Sequence, residues 1–278
     1  MSARDRLALL ADGWRVSVDE TFETETSLIG YGRRDGESVV LKVVKDREAD
    51  DVSEEWYAGD VARAFGRRGM VRVLESTPGA ALLERLEPGN SLVTMSVSGQ
   101  DDEATLTIAR LIRSMAPEQV PSRCPTVRDW ERGFEWYMTG EDNRLDRSVV
   151  SRAHRVYSEL ARTQRATRLL HGDLQHSNIL FDHRRRWVAI DPKGVIGEVE
   201  YEIGASLRNP RELSSAVADR NVVERRIDRF VAELGLDRAR VTAWAFAQAV
   251  LSVIWSIQDG VAVGETDPSW CLARTLEV

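Results

Sequence analysis

The run Glu37-Ser38-Val39-Val40-Leu41-Lys42-Val43-Val44 is rich in β-branched residues and follows the polar turn signal Arg34-Asp35-Gly36. Together they predict a strand leaving a hairpin. The preceding stretch, Thr21 to Tyr31, is rich in Thr and aromatic residues and supplies the partner strand. From 51 to 65 the period changes. Val52, Trp56, Ala58, Val61, Ala62 and Phe65 make one broad apolar face of a helix that ends at Gly66 and Gly69. Two short strands follow, Val71 to Glu75 and Ala80 to Leu86, around the turn Thr77-Pro78-Gly79. A small, mostly antiparallel sheet with one helix against it is the economical arrangement.

Beyond Glu87-Pro88-Gly89-Asn90 the pattern turns helical. Helices are predicted over 101–115, 126–138, 147–169, 219–234 and 237–257. The last is apolar along much of its circumference, which suits the buried central helix of a lobe. Only two short strands interrupt this half, Asn178 to Phe181 and Trp187 to Ile190, on either side of an Arg-rich turn. The expectation is an α+β protein with a β-rich lobe over 1–87 and a helical lobe over 88–278. Clefts between such lobes are common ligand sites.

Composition narrows the function classes. With 278 residues, 42% hydrophobic and 30% charged, the chain can build a substantial core. A net charge of -7 argues against a dedicated nucleic-acid binder. Two cysteines, Cys124 and Cys271, make neither a disulfide framework nor a metal cluster. The N-terminus lacks the apolar core of a secretory signal, and no run of 18 apolar residues occurs, so a cytoplasmic protein with no membrane partner is expected. Of 38 basic residues only Lys42, Lys45 and Lys193 are lysines, so each is worth inspection as a compact ammonium among guanidinium forks.

The stretch His171-Gly172-Asp173-Leu174-Gln175-His176-Ser177-Asn178-Ile179-Leu180, followed by Val188-Ala189-Ile190-Asp191-Pro192, carries the chemistry. Asp173 sits on a glycine-flanked loop between a helix and a strand. Asn178 opens one strand of a hairpin and Asp191 ends the other, giving an amide oxygen and a carboxylate for a hard cation. Mg²⁺ prefers such oxygen ligands, completed by water and phosphate oxygens. This is the division of labour of kinase-type phosphoryl transfer: Asp173 takes the acceptor hydroxyl's proton, while Asn178 and Asp191 hold the metal. Singly, each residue is equally readable as a turn or helix cap. His171 is expected to order the loop. His176 and His183 complete no zinc pattern.

In the first lobe, Lys42 is either an edge-strand lysine that guards against aggregation or a cation on the nucleotide phosphates, held by a helix carboxylate. Glu55 is the expected carboxylate and Glu54 the alternative. Ser27-Leu28-Ile29-Gly30-Tyr31-Gly32 fits no standard phosphate loop, and reads either as an ordinary hairpin segment or as backbone that touches phosphate.

On these residues the chain resembles the aminoglycoside/hydroxyurea antibiotic resistance kinases. The resemblance rests on Val39 to Lys42, on Arg68 to Leu74, on HGDLQHSNIL, and above all on the stretch from Ile190-Asp191-Pro192-Lys193-Gly194 through Gly197-Glu198-Val199-Glu200. It implies a two-lobed protein-kinase-like fold, ATP and Mg²⁺ as cofactors, and a small polar, cationic acceptor. It also implies that Leu83 to Glu87 is a hinge against the adenine edge, with Val40 and Ile190 as its apolar flanks. Protein kinases carry Asp-Phe-Gly where this chain has Asp191-Pro192-Lys193, which argues against a protein substrate. Acceptor contacts are expected from the helical lobe. Glu198 is a ligand contact or a helix cap, Asp259 lines the mouth, Trp255 stacks on a ring or packs in the core, and Gln175 lies beside the loop carboxylate.

Overall fold

The computed structural model describes residues 1–45, 54–115, 117 and 120–277. The chain divides into two compact units. The first comprises Met1–Asn90, Ser114–Ser122 and Leu180–Gly194, and the second comprises Ser91–Arg113, Arg123–Ile179 and Val195–Val278. Two later segments therefore return to the first unit, which a single cut at residue 87 leaves out.

The first unit is built on a five-stranded antiparallel sheet of β1 (Ser17–Glu23), β2 (Ser27–Arg34), β3 (Glu37–Val44), β4 (Val73–Thr77) and β5 (Ala80–Glu84), in the order β1-β2-β3-β5-β4. Asp35 and Gly36 both take positive φ in the β2–β3 turn, the backbone that a tight hairpin demands. Strand β3 is central, with Lys42 opposite Ile29 on one side and Ala81 on the other. The edge-strand reading of Lys42 therefore fails. Alternation along β3 sends Val39, Leu41 and Val43 into a core with Leu7 and Ala11 of the helix Ala3–Gly13. That helix lies outside the sequence expectation of a single helix on the sheet. Ser2 caps it, and its Asp5 returns the bond to the Ser2 amide. The one expected helix appears as a 3₁₀ turn, Glu54–Tyr57, leading into an α-helix, Ala58–Ala64. Its expected start near Asp51 lies outside the described residues, as does the side chain of Glu54.

A three-stranded sheet of β6 (Pro88–Ser91), β8 (Ile179–Asp182) and β9 (Arg186–Ala189), in the order β6-β8-β9, contains the expected hairpin. Arg185 locks it within the first unit by ion-pairing with Glu84 and donating to the carbonyls of Arg67 and Met70 at 2.6 and 2.9 Å.

The second unit surrounds the helix Arg238–Gln258, which Asp237 caps through the amides of Ala239 and Arg240. This helix is long and apolar enough to cross a bilayer, but 67% of its most apolar window is buried in the protein, as expected for a central core helix. Trp244 meets Tyr157 and Tyr201 edge-on with ring centroids 5.1 and 5.0 Å apart. A two-stranded ribbon of β7 (Arg168–Leu170) and β10 (Val195–Gly197) brackets the loop that carries Asp173.

Gly32 is the tightest point of the main sheet, since a Cβ there would lie 2.2 Å from the Ser17 carbonyl oxygen. Gly32→Ala must therefore pry β1 from β2, and is expected to lower unfolding free energy by about 2 kcal/mol or more. Gly13→Ala, with nothing within 4 Å, should be neutral or slightly stabilising. Urea melts of the two variants check the contrast.

Candidate active site

The unpacked face of β3 opens onto a cavity of about 500 Å³ in the first unit. Ile29, Val40, Ala81, Leu83, Leu180 and Ile190 form its apolar walls. Lys42 and Asp191 are among its charged lining residues, and the Lys42 ammonium is ion-paired to Asp191 Oδ1. Asp191 sits just beyond β9 in the left-handed backbone region, φ 59°, which non-glycine residues adopt where surrounding structure enforces it. Its carboxylate is 42% exposed, whereas the Lys42 side chain is only 15% exposed. The ammonium is thus set in the wall, its charge balanced from one side.

Several expectations shift here. The partner of Lys42 is Asp191 and not Glu55. Glu55 lies half-buried in the 3₁₀ turn and makes no ion pair with Lys42 among the described residues. Ser27 to Gly32 belong to strand β2, and Leu28 to Gly32 pair on both sides. The turn bordering the cavity is Thr24 to Thr26, free of glycine and closed by Thr24 Oγ1, which accepts from the Ser27 amide at 2.9 Å. At the hinge, Glu84, Arg85 and Leu86 reach the cavity. Glu87 does not, because its amide donates to Asp182 Oδ2 and its carbonyl accepts from His183, at 3.2 and 2.9 Å.

In the second unit, the loop after β7 carries Asp173, with its side chain 24% exposed. Asn178 closes the 3₁₀ turn His176–Asn178. Its Nδ2 donates to the Asp173 carbonyl at 2.9 Å and to Asp173 Oδ2 at 3.2 Å. With Nδ2 occupied, the amide oxygen of Asn178 is turned away from Asp173 as a hard acceptor. His171 is fully buried, and its Nδ1 accepts the Asp173 amide at 3.3 Å, which orders the loop as the sequence suggests. Gln175 is half-buried at the start of the 3₁₀ turn, its carbonyl accepting from the Asn178 amide at 2.9 Å.

Glu202, which sequence reasoning passed over, anchors this loop. Its buried carboxyl accepts from the His171 amide at 2.6 Å and from the Gly172 amide at 3.1 Å. Burial pushes its pKa up to about 7, against the pull of the His171, Gly172 and Leu174 amides and of the Arg168 guanidinium. One signal was available in the sequence: an acid in the apolar run Tyr201-Glu202-Ile203-Gly204-Ala205 is costly unless donors meet it.

The expected acceptor contacts fare differently. Glu198 is buried, with Arg240, the Trp244 indole and the Arg165 amide on its carboxylate. It ties helix ends together inside the second unit and does not face an acceptor. Trp255 packs edge-on against Trp130 at 5.3 Å, which is the core alternative. Asp259 lies exposed just beyond the helix Arg238–Gln258.

The raised Glu202 pKa fixes a pH dependence. Between an ordinary carboxyl value of 4.5 and about 7 the folded protein holds a proton that the unfolded chain has released, so this group's stabilisation is present at low pH and lost as pH rises through that window. The change is about 3 kcal/mol. Glu202→Gln should remove it, so that the stability gap between wild type and variant narrows from pH 5 to pH 8 in urea melts.

Comparison with known proteins gives the family. Residues 13–260 match the family model of the aminoglycoside/hydroxyurea antibiotic resistance kinases. The chain is 30% identical to a streptomycin 6-kinase of Streptomyces griseus, over 92% of this chain and 83% of that protein. It is 31% identical to a streptomycin 3''-kinase of Klebsiella pneumoniae, over 89% and 91%. Among solved structures, the aminoglycoside phosphotransferase APH(4)-Ia is similar with a TM-score of 0.65 at 18% identity, over 99% of this chain and 97% of that one. The small antiparallel β lobe and the larger helical lobe are those of the two-lobed, protein-kinase-like fold. The chain belongs to the aminoglycoside/hydroxyurea antibiotic resistance kinase family and is a phosphotransferase.

Proposed function

We propose that the protein transfers the γ-phosphoryl group of Mg-ATP to a hydroxyl of an aminoglycoside-like acceptor, with the 6-hydroxyl of streptomycin as the first candidate. The observation that carries the reading is the Lys42–Asp191 ion pair set in the wall of an apolar cavity large enough for a nucleotide. Two similar kinases, both named for streptomycin, support the acceptor class.

Val40, Leu83 and Ile190 are assigned to the base, and Lys42 to the phosphates. Glu55 is kept as a second candidate carboxylate for Lys42, which pairs with Asp191 in this structure. Asn178 Oδ1 and the Asp191 carboxylate are hard oxygen donors of the kind Mg²⁺ selects, and we assign them as its ligands. When bound, the metal neutralises charge on the transferring phosphoryl group. Asp173 accepts the proton of the acceptor hydroxyl. The freed oxygen forms the new bond to phosphorus while the bond from phosphorus to the ADP oxygen breaks. Asp259 and Gln175 are kept as candidate contacts to a cationic acceptor, whose ammonium or guanidinium groups favour charge-assisted bonds.

Asp173→Asn should leave nucleotide affinity unchanged and lower kcat by roughly 10²–10⁴-fold, the range of a placed general base. Phosphorylation followed by mass spectrometry over a panel of aminoglycosides and amino sugars tests the acceptor. Turnover confined to the amino sugars would replace the aminoglycoside reading with metabolite kinase activity. Asp191→Ala should abolish the Mg²⁺ dependence of nucleotide binding in calorimetry, and a wild-type response would remove Asp191 from the metal site.

A further inference from the structure

Beside the loop carboxylate stands a cation that the proposed chemistry leaves unused. Arg208 follows the helix Val199–Leu207, and its side chain is only 10% exposed. Its Nη2 lies 3.8 Å from Asp173 Oδ1, an ion pair longer than a hydrogen bond. Oδ2 of the same carboxylate accepts from Asn178. The two oxygens therefore face different partners, a neutral amide on one side and a guanidinium on the other.

Arg208 is itself held. Its Nη1 donates to Gln248 Oε1 at 2.7 Å, and Gln248 Nε2 donates to the Tyr201 carbonyl at 3.3 Å. Gln248 is buried in the middle of the helix Arg238–Gln258 and reaches across only because residue 204 is glycine. A Cβ on Gly204 would lie 1.9 Å from Gln248 Oε1. Burial lowers the pKa of the guanidinium, and Asp173 is the foremost charge opposing that shift. A buried arginine with one neutral hydrogen-bond partner and one carboxylate in front of it is costly unless the carboxylate gains from it.

We propose that Arg208 is a positioning residue for phosphoryl transfer. Through Oδ1 it fixes the rotation of the Asp173 carboxylate about its side-chain bonds, and Gln248 and Gly204 fix Arg208 in turn. Asp173 then meets the acceptor hydroxyl in one orientation, and the planar fork makes arginine, not lysine, the suitable cation. The inference rests on the assignment of Asp173 as the base.

The test is steady-state kinetics of Arg208→Ala, Arg208→Lys and Gln248→Met with ATP and streptomycin or, if streptomycin is not turned over, with the fastest acceptor from the panel. Arg208→Ala should lower kcat roughly 10- to 100-fold, the scale of a displaced reacting group. The acceptor KM should change by less than about threefold. Millimolar guanidinium should restore part of kcat to Arg208→Ala and none to wild type, which a merely structural role would not produce. Arg208→Lys should rescue poorly. In an Asp173→Asn background the alanine change should cost little further rate. A folded Arg208→Ala enzyme with wild-type kcat overturns the proposal, as does a fully multiplicative loss in that background. If Arg208→Ala does not fold, Gln248→Met, which frees the guanidinium without removing it, carries the test, and an unchanged kcat overturns it. Unchanged kcat in Asp173→Asn alone would instead remove the base assignment, so the two failures separate.

Discussion

The buried carboxyl of Glu202 takes up the amides of His171 and Gly172, and the rest of the second unit's chemistry depends on that contact. A loop that buries consecutive amides must find acceptors for them, and here one side chain supplies both. The direction of the chain after Gly172 follows, and with it the position of Asp173. The same helix, Val199–Leu207, also contributes Tyr201 to the aromatic core and leads into Arg208. It therefore relates core packing to the reactive loop, so that a shift in one is felt in the other.

In the first unit the corresponding constraint is the two-sidedness of β3. Its odd positions, Val39, Leu41 and Val43, pack against the N-terminal helix, and its even positions, Val40 and Lys42, face the cavity. A one-residue slip would exchange these sets and place an ammonium in the core. Pairing on both edges of β3 fixes the register, and Asp191 supplies the counter-charge that makes an ammonium tolerable in a half-buried wall.

The parts legible in the sequence were those in which one local signal settles the outcome. The β-branched run with Asp35-Gly36 gave the hairpin, and the spacing of Asp173 and Asn178 allows both to share one loop and its 3₁₀ turn. Helix Val199–Leu207 was missed because it is apolar on nearly every side and shows no period to detect. The N-terminal helix was missed for the opposite reason, since only Leu7 and Ala11 are buried. Glu198 and Glu87 turn away from the places their positions in the sequence suggest, and Trp255 takes the packing alternative. Distance along the chain from a reactive residue does not report which way a side chain or amide faces, and Arg240, Trp130 and Asp182 claim those groups from far away in sequence.

The first unit is assembled from three stretches of chain, and the last, Leu180–Gly194, brings Ile190 and the Asp191 counter-charge. During synthesis the five-stranded sheet is complete in the nascent chain long before that stretch leaves the ribosome. Until then Lys42 lacks its anionic partner and one cavity wall is missing. Vectorial maturation is thereby ordered: the sheet forms early, but a finished cavity must wait until about two-thirds of the polypeptide has been made.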